Sequence, residues 1–290
     1  MREGTVTLAD GRRIGFAEYG VSNGVPVFEF HGFPGSRFYH LREDALEDAH
    51  VRLITLERPG IGLSDRKPAR TLLDWPKDVA EVADHFGFDR FAVLGVSAGA
   101  PNAVACGYAM PDRVAIVGVI CGVGPYFDNP QFDELHDDRF KLLLPLARVD
   151  FDTARSAVVD VMKPTSVAVN ADAGAYFDDE YLSSTLDVDR PRFASERDQW
   201  IANLLATYVD PEATTDEVMS TFGPWGFTPR DLRVPVRAWH GELDDTPVEA
   251  IRLLVDEAPD GALVEYPGEG HYLKELHHEE WLAALTVWAR

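Results

Sequence analysis

Short apolar runs alternate with longer amphipathic segments along most of this chain, and the pattern changes character in the middle. Residues 12–19, Val25–Phe30, Val51–Leu56, Phe91–Val96 and Val114–Ile120 read as strands. Between them lie stretches with helical spacing. Ser36 is placed to cap a helix reaching about His50, and Asp74 to cap one over Leu72–Phe86 that Gly87 closes. Ala100 to Met110 forms a small-residue helix that stops before Pro111. From about Gly124 to Arg230 the strand-like runs disappear, and Phe140–Leu146, Ala154–Met162 and Arg197–Tyr208 carry apolar residues three and four apart. The first pattern resumes at Val234–Trp239, followed by a helix over 249–257, a strand over 262–266 and a closing helix from about His271. An α/β fold with a largely parallel sheet and one helical insertion is predicted.

Composition narrows the function. Of the 290 residues 46% are hydrophobic, enough for a sizeable core. No stretch approaches the length that spans a bilayer, and the first residues carry no apolar signal region, so a cytoplasmic protein is expected. The 49 acidic against 27 basic residues leave a formal net charge of −22, which repels nucleic acid and anionic membranes. Lysine is confined to Lys67, Lys77, Lys141, Lys163 and Lys274; such a surface suits concentrated salt and, equally, a GC-rich genome. Cys106 and Cys121 have apolar flanks and read as small buried hydrophobes. No metal or cofactor is expected.

Candidate chemistry gathers at Gly95-Val96-Ser97-Ala98-Gly99, where a strand runs straight into a helix. A serine at that corner is lifted out of the backbone on a tight turn, and the flanking glycines leave room for it. Its hydroxyl needs a base, a carboxylate to orient the base, and donors for an oxyanion. Of nine histidines His271 is the best-placed base, because it follows the 262–266 strand and Gly268-Glu269-Gly270. That puts it at the carboxyl end of a strand, where an open α/β sheet collects its functional groups. His277 and His278 read as solvated, and His240 as a turn residue. The orienting acid is expected at Asp244, past the 234–239 strand, with Asp245 adjacent and Asp128 a third candidate. The oxyanion donors are expected to be the amides of Ala98 and Phe33; Pro34 has no N–H to compete. His31 is expected to hold that loop.

With these residues in view the chain resembles the α/β-hydrolase fold superfamily, in the group with a helical cap. The resemblance covers nearly the whole length. It is carried by His31-Gly32-Phe33-Pro34-Gly35, by Glu57-Arg58-Pro59-Gly60-Ile61-Gly62-Leu63-Ser64-Asp65 and by the serine corner. Trp239-His240-Gly241-Glu242-Leu243-Asp244 and Gly268-Glu269-Gly270-His271 continue it. It implies an α/β-hydrolase core of residues 1–124 and 230–290, a cap over 125–229, and Trp225-Gly226-Phe227 re-entering the core beside the site. The triad it implies is Ser97, Asp244 and His271. Glu57 stands where the family has Asp, a change expected to be structural. Asp245-Thr246-Pro247 follows Asp244 at a shorter spacing than the family's, which keeps Asp245 open as the acid.

A serine nucleophile disfavours the carboxylate-using epoxide hydrolases and dehalogenases of this fold and the cysteine-using dienelactone type. The expected function is hydrolysis of small to medium apolar carboxylic esters through an acyl-enzyme, with Phe33, Trp225 and Tyr272 as pocket residues. A small-molecule ester is the expected partner, with no nucleic acid and no membrane. Proline iminopeptidase or amidase, carbon–carbon hydrolase and perhydrolase chemistries share the triad and stay open. So do a non-catalytic binding role and the oligomeric state, a homodimer included.

Overall fold

Apolar runs like those of this chain are buried on both faces only in a sheet covered by helices on each side, and that is the observed arrangement. The computed structural model describes residues 2–38, 43–135 and 138–289. Among them the strands are β1 (Arg2–Thr7), β2 (Arg13–Gly20), β3 (Val25–Phe30), β4 (Val51–Leu56), β5 (Phe91–Val96), β6 (Val114–Ile120), β7 (Val236–Gly241) and β8 (Gly261–Tyr266). They form one sheet in the order β1-β2-β4-β3-β5-β6-β7-β8. β2 pairs antiparallel with β1 and β4, and every later pairing is parallel. β5 and β6 are buried at every position. The carboxyl ends of β3, β5, β6, β7 and β8 therefore share one rim.

The helices are α1 (Glu43–Asp48), α2 (Trp75–Phe86), α3 (Ala100–Ala109), α4 (Asp138–Val149), α5 (Phe151–Ala171), α6 (Ala173–Tyr176), α7 (Arg190–Ser195), α8 (Arg197–Thr207), α9 (Pro211–Thr221), α10 (Val248–Glu257) and α11 (His278–Thr286). α2, α3 and α10 cover one face through Val79, Val104 and Leu254, packed with Phe28, Phe30 and Val93. Trp281 and Leu285 of α11 cover the other, against Val27, Leu53 and Leu94. α4 to α9 fill the interval between β6 and β7. Among the described residues no helix is long and apolar enough to cross a membrane.

Several boundaries differ from the sequence reading, among them the following. Ser36 starts no helix: it is buried and donates its hydroxyl to Asn203 Oδ1 of α8 at 2.6 Å. α1 begins at Glu43, and residues 39–42 of the expected helix lie outside the described residues. Asp74 closes a capping box with Thr71 on a short 3-10 turn, and α2 starts one residue later, ending at Gly87 in the left-handed conformation (φ 72°). The closing helix begins at His278, which leaves His271 in the β8–α11 loop.

α9 has no apolar stripe. Asp210 caps it by accepting the Glu212 amide, and Thr214, Thr215, Asp216 and Glu217 are buried along it. Val218 and Met219 pack on Ala147, Ala154 and Val158, and charge pairing holds the polar side of the helix. Arg58 reaches Glu217 at 2.6 Å and Arg70 binds the other oxygen of the same carboxylate. Asp216 is held by Arg66 at 2.6 Å and Arg155 at 2.9 Å.

Candidate active site

β5 delivers Ser97 to the rim. Ser97 adopts φ 52°, a left-handed conformation that costs a non-glycine residue about 1–2 kcal/mol. The neighbouring glycines make the turn possible. A Cβ on Gly95 would stand 2.5 Å from Gly99 O, and one on Gly99 2.0 Å from Phe30 O. The carbonyl of Ser97 accepts the Val123 amide at 3.0 Å, which ties the corner to the end of β6.

The structure brings His271 and Asp244 into contact. His271 Nδ1 donates to the carboxylate at 2.9 Å from Oδ1 and 3.0 Å from Oδ2. The Asp244 side chain is fully buried and also accepts the Thr246 amide at 2.8 Å. Asp245 and Asp128 are exposed, and the hydrogen bonds to His271 come from Asp244. Burial pulls the imidazole pKa down, but the Asp244 charge and hydrogen bond outweigh it, with Asp245 and Asp189 adding, and hold it up at about 9. Burial likewise pushes Asp244 up, and His271 overrides it, leaving the carboxyl at about 2. Behind the pair, buried His240 donates Nε2–H to Thr246 O at 2.9 Å, and burial keeps its ring neutral. Expected in a turn, it lies in β7 instead, opposite Glu265 of β8. His277, expected to be solvated, is half-buried with its ring stacked 3.7 Å from that of Tyr266.

The loop after β3 lies against the serine: a Cβ on Gly32 would stand 3.2 Å from Ser97 Cβ. Among the described residues no group accepts a hydrogen bond from the Phe33 amide. His31 is buried, and burial followed by the charge of Arg58 drives its pKa down to about 3, so the ring is neutral. A proton on Nδ1 gives it Gly32 O at 2.8 Å and leaves Nε2 for the Arg58 amide at 3.5 Å. Arg58 donates to His31 O at 2.7 Å and Gly32 O at 3.2 Å, while Thr207 of α8 bonds both polar groups of Gly35 at 3.0 Å. Glu57 is structural, as expected. Its buried carboxylate takes Arg37 and the Leu63 amide, each at 2.7 Å, and fills the space that Gly15 and Gly62 leave open.

Of the three expected pocket residues, Phe33 is half-buried, whereas Trp225 and Tyr272 are both 2% exposed. Trp225 packs on Phe227 with centroids 5.5 Å apart, and Tyr272 edge-on to Phe193 at 5.4 Å. Apolar surface beside Ala98 comes instead from Val123, Tyr126, Leu144 and Phe222, with Phe33 packed against them.

Two neighbours of the site were missed in the sequence. Cys121, read as an inert hydrophobe, is indeed buried, but its thiol lies within 4.8 Å of both the Asp244 carboxylate and a ring nitrogen of His271. Among the described residues this trio is the one His/Cys/Asp/Glu cluster close enough to hold a metal ion. Within it, His271 Nδ1 is already hydrogen-bonded to both Asp244 oxygens. Asp189, from the insertion, accepts the His271 amide at 2.7 Å and the Tyr272 amide at 3.2 Å. Only its place before Arg190-Pro191, a helix start, could have drawn notice.

Comparison with known proteins places the chain in a family. A family model described as "Alpha/beta hydrolase family" matches residues 30–285. An uncharacterized hydrolase of Bacillus subtilis (strain 168), YcgS, is 27% identical over 101 residues, covering 34% of this chain and about a third (36%) of that protein. A bromoperoxidase from Bacillus anthracis superposes with a TM-score of 0.72 at 21% identity, covering 99% of each chain. A thermophilic esterase from Thermogutta terrifontis gives 0.68 at 19% identity, covering 100% of this chain and 98% of that one. At such identities these structures speak for the fold.

Proposed function

Because this chain belongs to the alpha/beta hydrolase family, we propose that it is a serine hydrolase cleaving carboxylic esters of small to medium apolar substrates. The observation that carries the reading is the double contact of His271 Nδ1 with Asp244, which leaves Nε2 as the proton-accepting nitrogen. Ser97 Oγ adds to the ester carbonyl as Nε2 takes its proton, and the new oxyanion lies between the Phe33 and Ala98 amides. The intermediate collapses, the leaving alkoxide takes the proton from Nε2, and an acyl-enzyme remains. Water then attacks with the same base, and the second collapse restores the hydroxyl and frees the acid.

Apolar surface from Phe33, Val123, Tyr126 and Phe222 supports an apolar acyl or aryl group beside Ala98. The net charge of −22 disfavours polyanionic substrates. The test is a fluorophosphonate probe together with p-nitrophenyl esters of graded chain length, with lactone, proline-amide and β-diketone controls. Labelling confined to Ser97, and turnover highest on esters, is the expected result. A folded protein that leaves the probe untouched returns the chain to a binding role, and a preferred control substrate replaces the ester assignment.

A further inference from the structure

Asp189 heads α7 in the insertion, 82 residues before His271, yet its carboxylate is committed to the histidine loop. It is 3% exposed and accepts two successive amides, His271 N–H on Oδ2 at 2.7 Å and Tyr272 N–H on Oδ1 at 3.2 Å. An aspartate at a helix start ordinarily accepts from the amides of its own first turn. Asp189 occupies that position in α7 and makes no such bond. Residue 270 fits the same arrangement: a Cβ on Gly270 would stand 2.4 Å from Asp189 Oδ2 and 2.7 Å from Val188 Cγ1. The carboxylate closes where this glycine has no side chain.

We propose that Asp189 is a positioning residue, a clamp from the insertion that fixes the His271 backbone so that the imidazole stays seated on Asp244 and turned toward Ser97. The inference rests on the serine-hydrolase reading above. His271 stands in a loop, so its ring is only as well placed as the peptide groups that carry it. Two hydrogen bonds to one carboxylate fix the direction of two successive N–H groups, where a single bond would leave the loop free to rotate. The clamp also brings a negative charge toward a ring that becomes cationic in each half-reaction. The other titratable groups around that ring are Asp244 and Asp245, with His240 and Cys121 behind.

The experiment compares Asp189→Asn and Asp189→Ala with the wild type. Asp189→Asn keeps the shape but turns an NH2 group toward one of the two amides; Asp189→Ala removes both acceptors. Asp178→Ala, which removes an exposed carboxylate paired with Arg197 in the same insertion, is the control. The readouts are kcat and KM on p-nitrophenyl butyrate, the rate at which a fluorophosphonate modifies Ser97, and the midpoint of the acid limb of kcat/KM. Misplacing a reacting group by about 1 Å costs about a hundredfold, so Asp189→Ala is expected to lower kcat by about ten- to a hundredfold. KM stays within about twofold, as it does when an interaction specific to the transition state is lost. Probe modification slows in parallel, the acid limb moves to lower pH in both variants, and Asp178→Ala changes none of these. Wild-type kcat with an unmoved acid limb, or a rise in KM alone, overturns the proposal. If Asp189→Ala does not fold, Asp189→Asn decides on the same readouts. Failure of the serine-hydrolase reading is seen separately, as a folded wild type whose Ser97 ignores the probe.

Discussion

The central strands and α9 are buried to a similar depth by different means. β5 and β6 contain no polar side chain, so beyond their backbone ladders they are held by apolar area. α9 packs only Val218 and Met219 on Ala147, Ala154 and Val158 and adds directional pairs, with Glu217 between Arg58 and Arg70 and Asp216 between Arg66 and Arg155. Burial by itself would raise the Glu217 pKa, but the two guanidiniums outweigh it and keep the carboxyl below its ordinary range. Area is indifferent to small displacements, and charge pairs are not. The sheet thus supplies a frame, and the insertion supplies fixed points. Two of those points fall on loops of the candidate site: Glu217 through Arg58 on the His31–Gly32 carbonyls, and Asp189 on His271.

The largest effect tests the frame. Ser97→Ala should lower turnover on p-nitrophenyl esters by about five to six orders of magnitude while leaving the melting temperature near that of the wild type. Asp244→Ala should cost about four orders of magnitude and Asp245→Ala only a few-fold; the reverse order would move the acid to Asp245. Glu217→Ala tests the fixed points. It strands two buried guanidiniums, and denaturant titration should show a loss of about 3–5 kcal/mol. A loss below about 1 kcal/mol, the range of surface pairs, would show that area holds α9 after all.

pH separates reactivity from stability. The proposed base works only as neutral imidazole, so kcat/KM should climb with pH toward about 9, where His271 loses its proton. His271 has a folded pKa above its ordinary value of 6.5, so the pair's stabilisation is complete below 6.5 and fades as pH rises through about 9. Asp244 lies below its ordinary 3.8, so its share is present above 3.8 and fades as pH falls toward about 2. Activity should therefore peak where this contribution to stability is already declining, which parallel rate and melting profiles will show. The smallest effect belongs to the lining: Phe222→Ala should shift preference toward longer acyl chains by about tenfold or less in relative kcat/KM.

How much could be read in the sequence follows the same division. Residues 25–30, 51–56, 91–96 and 114–120 were legible as strands because apolar area leaves a pattern, and the serine corner because its glycines mark a turn. His271 and Asp244 were legible because each follows a strand. α9 was not, since a helix buried through Thr, Asp and Glu has no hydrophobic period. α5 was foreseen over only part of its 21 residues, because Pro164 interrupts the reading that the structure carries through. Asp189 was one acid among many in an acidic segment. Its partners are backbone amides, which no sequence displays.

The ion pairs of Glu217 also bear on how a substrate gets in. Swinging α9 outward would bare a carboxylate and two guanidiniums together, and water would have to solvate all three before the door stood open. That makes α9 the costly part of the insertion to displace. α4, whose Leu142 is 77% exposed, has an anchor of its own: Arg148 pairs with the two oxygens of Asp133 at 2.7 and 2.8 Å and donates to Tyr126 O and Phe127 O.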